Sequence, residues 1–146
     1  MCDGPVSLPG VRVDALPFSP RTQVVDLQPC DVGLVPVTDL PWNRWKSFFK
    51  ILQCMAVGLP VVAQNMGSNA EVIEDGVNGY VVDSQEEWYD RLALLVDDAG
   101  LRRRMGAAAR ATAVRTYAES VQMPRVASVL HRAASRGGSR PSGRPA

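Results

Sequence analysis

The chain has 146 residues, of which 46% are apolar and 21% are charged, a length and composition that suit one globular domain and not two of ordinary size. No apolar run approaches the ~20 residues that a membrane-spanning helix needs, and the first residues lack the pattern of a secretory signal. We therefore expect no membrane span and a cytoplasmic location.

The net charge of +1 is distributed unevenly along the chain. Residues 1–100 contain six basic and fourteen acidic side chains, whereas residues 101–146 contain ten basic and one acidic. A basic segment of this kind occurs in proteins that bind nucleic acid or anionic membranes, and also as a solvated helix face followed by a disordered tail. Because Tyr117 is the single aromatic residue of this segment, we expect no nucleic-acid binding.

The three cysteines have no short metal-ligand spacing, and the single histidine, His131, is far from Cys2, Cys30 and Cys54 in the sequence. A cysteine nucleophile needs a base such as histidine. We interpret the thiols as reduced and structural, and we expect no metal site and no cofactor.

The first part of the chain predicts the order strand, helix, strand. Residues 11–16 alternate apolar and polar side chains, which is typical of a strand with one covered face. Ser19 and Pro20 then provide an N-cap and a first-turn proline for a short helix over 24–28. Residues 31–37 are almost continuously apolar, as in a parallel strand buried on both faces.

A polar and aromatic loop follows over residues 38–45, without helical periodicity. It lies at the carboxyl end of a strand, where open α/β sheets bind their ligands. Trp42 and Trp45 either stack on a base or a sugar, or simply cover the core.

The stretch 46–63 predicts a helix that turns directly into a buried strand. Apolar residues recur at helical spacing, Gly58 is placed to end the helix, and Pro60 leads into three small apolar residues. Lys46, Ser47 and Lys50 gather at the helix start, where free N–H groups and the helix dipole favour an anion such as phosphate. The alternative is a core helix whose basic side chains are merely solvated.

A second loop over 64–73 leads from this strand into a short helical turn. Gly67 allows a close backbone approach, and Ser68 or Asn69 can cap the turn, so the loop is a second candidate anion site. Residues 75–79 predict a tight turn, and 80–82 a short strand.

The rest of the chain is predicted to be helical. Ser84 caps a first helix, with Trp88, Leu92, Leu95 and Val96 on one face, and a second helix covers about 101–115. A third covers about 120–134, and residues 136–146 have no apolar side chain to bury, which predicts a disordered basic tail.

Alternating strands and helices with short connections predict an α/β fold, a three-layer Rossmann-like sandwich with a mainly parallel sheet. The dinucleotide fingerprint, the P-loop and the nucleophile elbow are all missing from the sequence. These absences disfavour a dehydrogenase or an α/β phosphatase.

Several blocks together resemble the C-terminal, nucleotide-sugar-binding domain of glycosyltransferase family 4. They are residues 31–36, Asn43 with 46–50, 55–63, Gly67 with 71–73, 75–82, and 101–106 with Arg110. The resemblance covers about residues 11–118 and implies the C-terminal half of a GT-B fold. It further implies a nucleotide-sugar-binding domain over 1–118 that lacks its first strand and helix, a C-terminal helix over 119–135, and the tail.

The resemblance also implies a function, namely metal-independent, retaining transfer of a hexose-type sugar from a nucleoside diphosphate carrier. It assigns no catalytic residue. The residues that it places at the donor are Lys46, Ser47, Phe48, Phe49, Lys50, Gln53, Gly67, Ser68, Asn69 and Glu71. The partners it implies are a nucleotide sugar and an acceptor-binding N-terminal domain or partner chain.

The sequence departs from the family at two site positions. It also departs in extent, because the domain lacks its first strand and helix. Gln53 stands where a glutamate usually grips the ribose, and Trp45 stands where a first glutamate is common. A glutamine still hydrogen-bonds hydroxyls, although more weakly than a carboxylate. A fragment, a split enzyme or an inactive remnant that serves as an interaction module would each explain these departures. An uncovered sheet edge would also favour self-association.

Overall fold

The computed structural model describes residues 8–45 and 48–137. Three strands, β1 (Gly33–Val35), β2 (Val61–Gln64) and β3 (Gly79–Val82), form one parallel sheet in the order β1-β2-β3. The α-helices are α1 (Gln23–Leu27), α2 (Phe49–Ala56), α3 (Asn69–Val72), α4 (Gln85–Asp97), α5 (Ala99–Thr112) and α6 (Glu119–Gly137). A 3-10 helix (Pro41–Trp45) follows β1, and a π-helical turn (Ala113–Tyr117) follows α5.

The sheet has a hydrophobic core on each face, which confirms the predicted three-layer α/β arrangement. On β2, Val61 and Ala63 pack on the side of α2 and the end of α5, whereas Val62 packs on the side of Leu95 from α4. Because successive side chains of a strand point to opposite faces, the three buried residues of β2 supply both cores.

The predicted transition from α2 into β2 is confirmed. Ile51 and Met55 are completely buried, as the helical spacing requires, and α2 ends at Ala56, two residues before Gly58. Gly58 has a φ of 85°, a left-handed conformation that glycine adopts without steric cost. Its carbonyl faces Gly106 of α5, so the turn is packed against a second helix.

Some predictions near the start of the chain were wrong. Residues 11–16 form no strand, because Val11 makes only an isolated bridge to Leu8 and, within the described residues, no strand lies beside the rest. Without a neighbouring strand, an alternating pattern has no ladder hydrogen bonds to stabilise it. β1 is shorter than predicted and is not buried on both faces, since Leu34 is 52% exposed at the edge of the sheet.

The C-terminal helices are confirmed, with two differences. Ser84 caps α4 by accepting a hydrogen bond from the backbone N–H of Glu87, but Val96 is exposed and not on the buried face. α6 contains Pro124 and continues to Gly137, two residues into the predicted tail, whose remainder lies outside the described residues. Side chains 123–135 of α6 are all exposed, and self-association stays a prediction.

None of the helices in the described ranges is both long and apolar enough to cross a membrane.

The N-cap of α5 makes domain stability depend on pH. Asp98 Oδ1 accepts a hydrogen bond of 2.8 Å from the N–H of Leu101. This bond, together with weaker effects of the Gly100 N–H and of Arg104, lowers the pKa of Asp98 although desolvation opposes the shift. A group whose pKa is lowered in the folded state stabilises that state above its unfolded pKa, and the contribution is lost as the pH falls.

We therefore expect acid to destabilise the wild type more than Asp98→Asn, which keeps a capping side chain that does not titrate. Urea unfolding at several pH values between neutrality and about pH 3 measures the difference, since the unfolded pKa of aspartate is about 3.9. Asp90→Asn, at an exposed position of α4, is the control and should keep the pH dependence of the wild type. An unchanged pH dependence in Asp98→Asn would contradict the assignment.

Candidate functional site

A cleft of about 440 Å³ opens at the carboxyl ends of β1 and β2. The lining residues come from the loop after β1, the start of α2 and the loop after β2. They are Leu34, Val35, Pro36, Val37, Asn43, Phe48, Phe49, Lys50, Ile51, Met66 and Asn69. In parallel α/β sheets this edge is where ligands bind, because the loops there converge above the strands.

Asn43 is the polar side chain on the β1 side of the cleft and is only 8% exposed. The 3-10 helix places it inward, and its Nδ2 donates a hydrogen bond of 2.8 Å to the carbonyl of Thr38. No residue of the described ranges donates to its Oδ1, which is buried. A buried acceptor without a donor is uncommon and is the kind of atom that a ligand hydroxyl satisfies.

The start of α2 gives the cleft a positive end. The first-turn N–H groups of a helix have no acceptor within it, and no side chain of the N-cap residue Phe48 provides one. Lys50 is exposed at the same place, and the described lining residues include no carboxylate. Phe48 packs edge-on against Tyr117, with ring centroids 5.4 Å apart, so the helix start is anchored to the π-helical turn.

The opposite wall includes Met66, from the loop after β2, and Asn69, the first residue of α3. Asn69 is buried and its Nδ2 donates a hydrogen bond of 2.9 Å to the carbonyl of Gln64, which fixes the loop to the end of the strand. Gly67 adopts a φ of 58°, which turns the chain between these two residues.

Comparison with known proteins shows which family part of this chain resembles. Residues 49–112 match the family model described as glycosyl transferases group 1. The matched segment makes up less than half of the chain. It contains α2, β2, α3, β3, α4 and α5, and therefore the positive end of the cleft and one of its walls. The resemblance to a C-terminal glycosyltransferase domain is confirmed.

Two curated relatives show the extent of the likeness. D-inositol 3-phosphate glycosyltransferase from Paenarthrobacter aurescens is 39% identical over 80 residues, which are 53% of this chain and 18% of that protein. Spore coat protein SA from Bacillus subtilis is 37% identical over 57 residues, which are 37% of this chain and 15% of that protein. The chain thus spans less than a fifth of either relative.

A solved structure supports the same identification. HepE from Anabaena, crystallised with UDP-glucose, superimposes with a TM-score of 0.60 and 25% sequence identity over 73% of this chain and 29% of that one. Together with the family match, this likeness identifies a C-terminal domain of a GT-B glycosyltransferase.

In this glycosyltransferase domain the predicted site residues occupy different places. Phe48, Phe49, Lys50 and Asn69 line the cleft. Lys46 and Ser47 lie outside the described residues. Gly67 and Ser68 belong to the loop after β2 without lining the cleft, and the Ser68 side chain makes no capping hydrogen bond.

Gln53 and Glu71 lie away from the cleft. Gln53 Nε2 donates a hydrogen bond to Gln23 Oε1, which joins α2 to α1. Glu71 lines a separate cavity of about 350 Å³ together with Thr112 and Arg115. Neither side chain lines the cleft of the glycosyltransferase domain.

Sequence reasoning did not select Asn43 or Met66 as site residues, although both line the cleft. Asn43 could have been selected from the sequence, because it is a polar residue in the segment that directly follows a buried strand. Met66 could not, since its apolar side chain is equally typical of a core. In the described part of the chain, no three His, Cys, Asp or Glu side chains come together as metal ligands.

Proposed function

We propose that the cleft holds the diphosphate and the sugar of a nucleoside diphosphate hexose, and that the domain acts in a retaining glycosyl transfer that uses no metal or other cofactor. One observation carries the proposal: the same cleft combines Lys50 and a helix start whose N-cap residue Phe48 makes no side-chain hydrogen bond with the Asn43 oxygen, which has no donor among the described residues. A sugar diphosphate has an anion for the first and hydroxyl donors for the second.

The proposed chemistry follows from charge. In glycosyl transfer the bond between the anomeric carbon and the diphosphate breaks, and negative charge develops on the departing oxygen. Helix N–H groups and a lysine ammonium stabilise that charge without a metal ion, provided that they are already oriented. The packing of Phe48 on Tyr117 provides such an orientation at the start of α2.

The hydroxyl-bearing parts of the donor are proposed to meet the amide side chains. Asn43 Oδ1 is an acceptor and suits a sugar hydroxyl, not a phosphate oxygen. Gln53 has its nitrogen engaged by Gln23, so its carbonyl oxygen is what it offers to a ribose hydroxyl. Lys46, Ser47, Gly67 and Ser68 keep the donor-binding roles that the family resemblance implies, whereas Glu71, which lines a separate cavity, is not proposed to touch the donor in the cleft.

The likeness to HepE supports the choice of donor, because that protein was crystallised with UDP-glucose. The covered segment is under a third of HepE, so we propose that the acceptor is bound by an N-terminal domain or a partner chain. A cytoplasmic location remains part of the same proposal.

Calorimetric titration of the full chain with UDP, GDP and UDP-glucose tests the site. We expect Lys50→Ala to weaken binding of UDP and UDP-glucose alike by about tenfold, since a hydrogen bond to a charged group contributes at least ~1.5 kcal/mol. Asn43→Leu should weaken UDP-glucose more than UDP, because the lost acceptor faces the sugar. Arg103→Ala removes an exposed charge on α5, away from the cleft, and should change neither affinity.

Absence of heat with UDP and GDP at millimolar concentration, in a chain that is folded by circular dichroism, would overturn the donor-site proposal. The alternative, a non-catalytic remnant that keeps the fold, would then be favoured. It has one specific observation behind it, namely that the Gln53 amide is already engaged within the protein.

A further inference from the structure

The last helix, α6, has an apolar face that the described residues leave exposed. The residues that share this face by their helical spacing are Met123, Val126, Ala127, Leu130 and Ala134. We call these five residues the apolar stripe. Every side chain from 123 to 135 is exposed, and Leu130, the largest aliphatic side chain of the stripe, is 63% exposed. An exposed apolar face of this length is typical of a surface that binds a partner.

The opposite side of α6 is polar and basic. The residues that share it by their spacing are Arg125, Ser128, Arg132 and Ser135, which we call the arginine stripe. Residues 120–146 contain five arginines and no Asp or Glu. After its first residue, α6 is therefore an amphipathic helix whose charged side chains all have one sign.

α6 is attached to the domain at its first turn. Gln122 Nε2 donates a hydrogen bond of 2.6 Å to the carbonyl of Thr116 in the π-helical turn, and Val121 and Gln122 are partly buried there. The exposure changes directly after this turn, since residues 123–135 are exposed on every side of the helix. The apolar stripe and the arginine stripe are therefore both accessible to a partner.

We propose that α6 lies on the surface of an anionic phospholipid bilayer and holds the domain there as a peripheral protein. The inference is independent of the proposed donor site. An interfacial helix buries its apolar face about 5–10 Å into the boundary between headgroups and acyl chains. Because a helix is about 10–12 Å across, its opposite side then lies at the level of the headgroup phosphates. Arg125 and Arg132 meet negative charge there.

Charge and composition favour a bilayer over a protein as the occupant. Pairing of α6 with the α6 of a second copy would bring like charges together, because residues 120–146 have no carboxylate to offset their arginines. The buried centre of a protein interface is usually rich in Tyr and Trp, and the apolar stripe has no aromatic residue. Binding to a bilayer depends instead on apolar area and on attraction to anionic lipids, and α6 provides both.

The last residues of the sequence add to the same attraction. Arg136, Arg140 and Arg144 follow the arginine stripe, spaced among Gly, Ser and Pro residues. A cluster of about four to eight basic residues on or beside an amphipathic helix is typical of segments that bind anionic headgroups. The proposed cytoplasmic location agrees with this, because the cytoplasmic leaflet of a membrane carries anionic lipids.

Co-sedimentation of the full chain with phospholipid vesicles tests the proposal. We expect binding to vesicles of equimolar phosphatidylcholine and phosphatidylglycerol, and little binding to vesicles of phosphatidylcholine alone. Most of the binding should be lost as the salt concentration rises from about 0.1 M to 1 M, because the Debye length falls from about 10 Å to 3 Å.

Two double variants test the two stripes separately. Val126→Gln/Leu130→Gln removes apolar area without changing the charge and should weaken binding to the mixed vesicles by at least about tenfold. Arg125→Gln/Arg132→Gln should weaken it by roughly 25-fold, at about fivefold for each arginine. All four positions are exposed, and glutamine is a good helix former, so both variants should keep the circular dichroism of the wild type.

Matched controls make the same kinds of change elsewhere. Val96→Gln replaces an apolar side chain on α4 that is 71% exposed, and Arg103→Gln removes an exposed charge on α5. Each control variant should bind the mixed vesicles as the wild type does.

Three results would overturn the proposal. The first is that the chain binds neither kind of vesicle, or binds neutral and anionic vesicles equally. The second is that folded Val126→Gln/Leu130→Gln binds like the wild type, so that the arginines alone attract the chain to lipid. The third is a dimer in the absence of lipid that this variant converts into a monomer, while the wild type ignores vesicles. The apolar stripe would then be an interface between two copies of the chain.

Discussion

Gly106→Ala should destabilise the domain by roughly 3 kcal/mol, more than the loss of helix capping or of any surface contact. A Cβ atom at this position would lie 2.1 Å from the carbonyl oxygen of Gly58 and 3.1 Å from its carbonyl carbon. Both atoms belong to the backbone of the turn between α2 and β2, so no side-chain rotation relieves the overlap. The helices must separate, and the fully buried neighbours lose contact.

Urea denaturation followed by circular dichroism measures this effect, and Gly100→Ala is the matched control in the same helix. A Cβ at Gly100 would meet only the ends of two side chains, Asp98 Oδ1 at 3.0 Å and Arg104 Nη1 at 3.2 Å. Because alanine favours helix over glycine by up to about 1 kcal/mol, the control should be neutral or slightly stabilising. Equal stability of the two variants would refute the packing described for Gly58.

The sequence was sufficient to predict the elements whose local pattern and tertiary environment agree. The helix of α2, the glycine that ends it and the apolar strand after it are each specified within a few residues, and all three are present. Agreement between local preference and global packing is what makes such a segment predictable. The cap at Ser84 belongs to the same class, since it needs only a hydroxyl and a nearby N–H.

The failures occur where the outcome depends on a partner elsewhere in the chain. Residues 11–16 have the alternation of a strand, but a strand also needs a neighbour, and the part of the chain that the structure describes places none beside them. Val96 was assigned to the buried face of α4 by its spacing, yet only the positions that meet the sheet and α5 are covered. The spacing of apolar residues indicates which face of a helix or strand could be buried. The neighbouring elements determine which face is actually buried.

In the candidate site, too, local features could be predicted from the sequence and contacts between distant residues could not. The sequence identified the start of α2 because a helix start with lysines is a local feature, and Phe48, Phe49 and Lys50 do line the cleft. The engagement of Gln53 by Gln23 could not be anticipated, since thirty residues separate them in sequence and only the packing of α1 on α2 brings them together. The burial of Asn43 likewise depends on the 3-10 helix, a short element without a periodic signal.

Ile51 belongs both to the hydrophobic core and to the candidate site. It is completely buried under α2 and also lines the cleft. Ile51→Ala should reduce the free energy of unfolding by about 3–4 kcal/mol, since it removes a buried side chain and leaves a cavity. Phe49→Ala is the matched control two residues earlier. It removes a larger side chain that is 60% exposed, and it should therefore cost much less.

The two variants also separate the roles of the helix when UDP titrations are added to urea denaturation. If Ile51→Ala is too unstable to purify, Ile51→Val should show a graded loss of about 1 kcal/mol. Folded Ile51→Ala or Ile51→Val protein should still bind UDP, because the N–H groups at the start of α2 and the Lys50 ammonium are unchanged. A loss no larger than that of Phe49→Ala would mean that α2 is not fixed by its buried face. The donor cleft would then lack the rigid helix on which the proposed stabilisation of the diphosphate depends.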